Sequence, residues 1–206
     1  MKTTKIIAAA ALSVLAAAAA HAAATNAPAG VAACVACHGM QGEGNASGVP
    51  RLAGQNAAYL ARALAAFKDG TRASPVMQPI ASSLSDAAIH DLSAYFAGLP
   101  APRTPAAQPQ AAGLVAAGKQ LAQAGAVAAG VPACFSCHGA GRSGIGDRFP
   151  GLAGQPVAFV VNRLHEFQAR AEKKTPEPGT MTAIAVRMDE MQISQAAAYF
   201  STLSQP

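Results

Sequence analysis

The chain has no tryptophan, and only three tyrosines and seven phenylalanines among its 206 residues. Much of its 51% hydrophobic content is alanine. Domains of about a hundred residues with so few bulky side chains build a thin core, so something other than side chains has to supply apolar volume. Charge is sparse, at 12% Asp, Glu, Lys and Arg. No basic run is interleaved with aromatics, which argues against a nucleic-acid partner. No stretch alternates with period two, so strands are not expected. Nothing after the N-terminal segment is long and apolar enough to cross a membrane. There is no unpaired nucleophile and no acid/base pair, so no small-molecule substrate is expected.

That N-terminal segment reads as a secretory signal peptide, residues 1–22. Lys2 and Lys5 form a positive start, Ile6 to Ala20 is apolar, and Ala20-His21-Ala22 fits the small-x-small cleavage pattern, with Ala22-Ala23-Ala24 as a second register. Export to the periplasm follows, with peripheral membrane association left open. Losing Lys2 and Lys5 leaves 13 basic and 10 acidic residues, so +3 in place of the formal +5.

The four cysteines fall into two identical frames, Cys34-Val35-Ala36-Cys37-His38 and Cys134-Phe135-Ser136-Cys137-His138. Cys-x-x-Cys-His is the attachment signal of c-type haem: two thiols add across the vinyl groups and the adjacent imidazole reaches the iron. Disulfides or a zinc site would explain neither the histidine nor the repeat. Two covalent haems are therefore expected, with Cys34, Cys37, Cys134 and Cys137 as attachment points and His38 and His138 as axial ligands.

A shift of one hundred aligns more than these motifs. Pro50-Arg51-Leu52-Ala53-Gly54-Gln55 meets Pro150-Gly151-Leu152-Ala153-Gly154-Gln155, and Leu64 and Phe67 meet Leu164 and Phe167. After four extra residues near Glu172 to Gly179, Met77 meets Met181, and Tyr95-Phe96 meets Tyr199-Phe200. The chain is one domain written twice. The domains are placed at 25–100 and 111–206, joined by a proline-rich linker, 101–110.

Each copy reads as helices. Asn56 to Lys68 carries Leu60, Leu64 and Phe67 at helical spacing, and its counterpart opens with Pro156 in the first turn. Ser85-Asp86 caps a helix bearing Ile89, Leu92 and Phe96. An extra helix is expected over Gln110 to Gly125.

Iron that shuttles electrons needs a second axial ligand. His90 and His165 have no counterpart in the other copy, whereas Met77 and Met181 repeat in register, so His/Met ligation is expected at both irons. Pro50 and Pro150 offer carbonyls to the haem histidines. Arg51, Arg72, Gln55 and Gln155 are candidate partners of the haem propionates, Arg72 the best of them as a charged donor.

These motifs, from Cys34-x-x-Cys-His-Gly through Pro50-x-Leu-Ala-Gly-Gln and Phe67-Lys68-x-Gly-x-Arg72 to Met77 and Tyr95-Phe96-Ala97, resemble the dihaem cytochrome c-four family across essentially the whole mature chain. The resemblance implies an all-α protein of two tandem class I cytochrome c domains with neighbouring haems. It also implies electron transfer from a quinol-oxidising complex to a terminal oxidase or reductase, without enzymatic activity of its own. A cytochrome subunit of a periplasmic dehydrogenase, or a dihaem peroxidase or thiosulfate-oxidising enzyme, are the alternatives. The second copy departs from the pattern in its four extra residues and in lacking the Gly-x-Arg of Gly70-Thr71-Arg72.

Overall fold

The computed structural model describes residues 27–100, 109–141, 143–173 and 179–203. The expected signal peptide and residues 101–108 of the expected linker lie outside them. The described residues are helical. They contain no strand, only isolated bridges between Ala126 and Val131 and between Ile145 and Phe149. None of their helices is long and apolar enough to cross a membrane.

The first half contains α1 (Val31–His38), α2 (Ala57–Lys68), α3 (Met77–Ser82) and α4 (Asp86–Gly98). The second contains α5 (Ala112–Ala124), a 3-10 turn at Val127–Ala129, α6 (Phe135–His138), α7 (Val157–Glu172), α8 (Thr180–Ala185) and α9 (Glu190–Thr202). Helix α2 packs on α3 and α4; α7 packs on α8 and α9 in the same way.

Local chemistry explains the boundaries. The Asn56 side chain accepts the Tyr59 N–H at 2.9 Å and starts α2. Ser85 does the same for α4 through Ala88 N–H, and Asp189 with Gln192 forms a reciprocal capping box on α9. Pro156 stands just before α7 as its N-cap rather than inside the first turn, with ψ at 141°. Helix α5 fills the span expected from Gln110 to Gly125. It approaches α9 so closely that a Cβ on Gly118 would lie 2.0 Å from the Gln195 carbonyl oxygen.

The second half has the larger side-chain core. Leu121, Val131, Ile193, Ala197 and Phe200 are all at most 4% exposed. The first half relies on Leu60, Phe67, Ile89, Leu92 and Phe96.

The halves meet through the repeated Pro-x-Leu-Ala-Gly-Gln motif. The Gln55 amide donates to the Gly151 carbonyl at 3.0 Å and accepts the Gly151 N–H at 2.9 Å. Gln155 donates to the Arg51 carbonyl at 3.1 Å and accepts the Arg51 N–H at 3.0 Å. Positions 51 and 151 are equivalent, as are 55 and 155, so the exchange is reciprocal in the manner of a two-fold interface. Arg51 reinforces it: buried to 4% exposure, it donates to Ala53 O and, across the boundary, to Ala153 O at 3.0 Å.

Removing either glutamine leaves a buried N–H and C=O without partners, at about 1–3 kcal/mol per group. Gln55→Ala with Gln155→Ala is therefore expected to uncouple the halves. Calorimetry of the holoprotein should show two thermal transitions in the double variant and one in the parent. A single unshifted transition would show that the exchange contributes nothing.

Candidate functional site: a shared cavity between two histidine centres

In each half the Cys-x-x-Cys-His run ends a helix, and a glycine C-cap reverses the chain at once: Gly39 at φ 86° and Gly139 at φ 63°. The following loop folds back tightly under the motif. At Gly44 and Gly144 a Cβ would fall 2.5 Å and 1.8 Å from the carbonyls of Val49 and Phe149, at positive φ in both cases, so only glycine fits.

This fold-back delivers a proline carbonyl to each imidazole. His38 Nδ1 donates to Pro50 O at 2.9 Å, and His138 Nδ1 donates to Pro150 O at 2.7 Å. The bond fixes the proton on Nδ1 and turns Nε2 into a free lone pair. Burial pushes both imidazoles below their usual pKa, and the proline carbonyls oppose that in part, so the rings stay neutral. His138 Nε2 is buried and has no hydrogen-bond partner. A buried nitrogen kept neutral, oriented and unpaired is a metal ligand in waiting.

Both histidines line one continuous cavity of about 830 Å³. Its walls include all four cysteines, Met77, Met181, Pro50, Pro150, Leu92 and Phe200. No two of the cysteines are joined in a disulfide. Burial raises the pKa of Cys34 and pushes Cys134 up to about 11. Among the described residues no group of three His, Cys, Asp or Glu side chains is placed to hold a bare metal ion.

The charge on the walls is one-sided. Among the described residues, Arg51, Arg62, Arg72, Arg148, Arg163 and Arg170 line the cavity against one carboxylate, Glu166. Arg62 reaches Asp147 at 3.3 Å, but that pair is more than half exposed and contributes little. An apolar slot rimmed by guanidinium groups and lined by two imidazoles oriented through their Nδ1 bonds fits two porphyrins bearing propionates.

The family model "Cytochrome c" matches residues 22–100 and again 115–204. A "Cytochrome c4" from Thiocapsa roseopersicina is 37% identical over 175 residues, covering 84% of this chain and 88% of that protein. The solved cytochrome c4 of Acidithiobacillus ferrooxidans superposes with a TM-score of 0.72 at 32% identity, covering 82% of this chain and 98% of that one. The chain belongs to the dihaem cytochrome c4 family. A "Thiosulfate dehydrogenase electron acceptor" from Thiomonas intermedia is also similar, 39% identical over 176 residues, with 85% of this chain and 80% of that protein covered.

As a cytochrome c4, the chain carries two covalent haems, on Cys34/Cys37 and Cys134/Cys137. It is an electron-transfer protein of two class I domains, and its cytochrome c4 relatives are electron carriers rather than enzymes.

Gln55, Gln155 and Arg51 line the cavity and also make hydrogen bonds across the domain boundary. Arg72 does line the cavity, its guanidinium 4.4 Å from the centre of the Phe67 ring, and burial lowers its pKa. His90 and His165 are absent from the lining. His90 is exposed beside Asp91, and His165 Nε2 meets Glu190 at 3.1 Å. Four cavity arginines escaped the sequence reading: Arg62, Arg148, Arg163 and Arg170. For the last two the signal is their spacing around Phe167 on α7, four residues before it and three after.

Proposed function

We propose that this chain is a periplasmic electron shuttle with two His/Met centres. His38 and Met77 would ligate the first iron, His138 and Met181 the second. Electrons would come from a quinol-oxidising complex and leave to a terminal oxidase or reductase. The observation that carries this reading is the single cavity reaching from Cys34 and Met77 to Cys134 and Met181.

Bound there, each haem supplies an iron that changes by one electron between ferric and ferrous. The chain's own residues do the rest. The Nδ1 bonds to Pro50 and Pro150 make His38 and His138 better donors and hold the ring planes. A thioether from Met77 or Met181 favours the reduced iron and raises the potential. Arg72 would offset a propionate charge, and the Gln55 and Gln155 exchange would hold the two halves at constant spacing.

In the second half Met188 lines the cavity as well, but it is 7% exposed within the side-chain core. Met181 instead lies at the start of α8, as Met77 does on α3, which supports Met181 as the ligand. Export through residues 1–22, loss of that segment and the domain limits 25–100 and 111–206 belong to the same proposal.

A second reading has its own support. The likeness to a thiosulfate dehydrogenase electron acceptor favours a periplasmic dehydrogenase as the donor. Stopped-flow reduction separates the two. The ferric protein is mixed in turn with a quinol-oxidising complex plus quinol, and with a thiosulfate dehydrogenase plus thiosulfate. The shuttle reading expects the faster reduction from the first. Faster reduction by the second assigns the dehydrogenase role, and reduction by neither ends both.

A further inference from the structure

The second half lacks an arginine where the first has Arg72. Counting from the shared Phe67 and Phe167, the matching residue is Glu172, or Pro176 once the four extra residues are passed. The structure nevertheless shows a guanidinium on the ring in both halves at one distance. Arg72 Cζ stands 4.4 Å from the Phe67 centroid, and Arg163 Cζ stands 4.4 Å from the Phe167 centroid. The two arrive by different routes. Arg72 comes from the turn after α2, five residues beyond its ring. Arg163 comes from within α7, one turn before its ring, where the first half has Ala63.

Both guanidinium groups line the shared cavity. The Arg163 side chain is 15% exposed. Its one carboxylate partner, Glu166, is half exposed and lies on the same helix. That leaves Arg163 beside Arg72 and Arg170 on a wall with a surplus of positive charge. Burial lowers its pKa to about 9, and the charges of Arg72 and Arg170 act in the same direction. Crowding of buried cations is costly unless an anion sits among them. Among the described residues no carboxylate besides Glu166 lines the cavity, so the wall has room for an anion on that side.

We propose that Arg163 takes in the second half the part that Arg72 takes in the first, binding a propionate of the second haem and tuning that haem's potential. The inference rests on the two-haem reading above, and its chemistry is local. A cation at the propionate favours the reduced, less positive iron. It also keeps the propionate ionised, so the potential is insensitive to pH near neutrality.

The test uses the full-length holoprotein, titrated spectroelectrochemically at several pH values, with potentials resolved for each haem. Arg163→Gln is expected to shift one haem's reduction equilibrium toward ferric by about tenfold, about 59 mV for one electron. The shifted potential should also acquire a pH dependence as the propionate titrates. Arg163→Lys should restore most of the potential, because it keeps the charge on an unbranched chain. Arg72→Gln should move the other haem. Circular dichroism checks that α7 survives each change. If Arg163→Gln leaves both potentials and both pH profiles in place, or moves the same haem as Arg72→Gln, the proposal is wrong although the protein still carries two haems. If the parent shows no pair of c-type haems, the underlying reading has failed.

Discussion

Met77→Ala is expected to abolish the sulfur-to-iron charge-transfer band of one ferric haem and leave the other intact. That haem's reduction equilibrium should fall by on the order of a hundredfold, well inside the range of about 0.8 V that axial ligands command. Met77 is suited to this role and to little else. It opens α3, where its N–H donates to Ser74 Oγ at 3.0 Å, and its side chain lines the cavity while remaining partly exposed. Truncating it removes a ligand with modest loss of packing. Met181→Ala should do the same to the second haem. There the buried Met188 is the control, since its truncation opens a hole in the side-chain core and costs about 2–5 kcal/mol. Met188→Ala should therefore lower the thermal midpoint and keep both charge-transfer bands. If instead Met188→Ala removes a band and Met181→Ala leaves both, Met188 is the second ligand. If both bands survive in Met77→Ala, the His/Met assignment of the first iron is wrong.

The helical class, the duplication and the haem motifs were legible because each rests on short-range chemistry. A Cys-x-x-Cys-His run, a serine before a helix and a glycine after it keep their meaning in any surroundings. The proline–histidine bond could be anticipated for the same reason, as both partners sit at fixed offsets in each copy. What stayed hidden depends on how the copies face one another. Gln55 and Gln155 are equally suited to a propionate or a peptide group. Their choice of the opposite backbone follows only once the two Pro-x-Leu-Ala-Gly-Gln segments meet. Arg51 reads along the chain as a candidate propionate partner, and its burial with a hydrogen bond to Ala153 of the other half follows only from the domain contact. Arg163 has Ala63 as its equivalent, so the repeat does not point to it. A helix offers a second way to place a charge on the same ring, four residues earlier, and alignment does not register such a substitution.

Without haem attachment the chain is expected not to fold. The cavity of about 830 Å³ lies where a core should be. At about 24 cal/mol per Å³ of void, an emptied cavity of that size represents an upper bound of about 20 kcal/mol, above the 5–15 kcal/mol that typically separates folded from unfolded chains. Water entering the slot lowers the cost of the void but exposes Leu92, Phe96 and Phe200. Protein made in a host lacking the attachment machinery should show weak helical circular dichroism, no cooperative thermal transition and rapid proteolysis. The halves should differ when disabled singly. Cys34→Ala with Cys37→Ala removes the anchor of the half with few large core residues. The second half retains α5 packed on α9, with Leu121, Val131, Ile193 and Phe200 at its centre. That variant should keep one attached haem and one thermal transition of reduced enthalpy. Cys134→Ala with Cys137→Ala should be the less damaging, because the half it deprives of haem keeps this side-chain core. A colourless full-length chain with native helicity and a sharp transition would show that the polypeptide builds its own core, against everything its scarcity of large side chains implies.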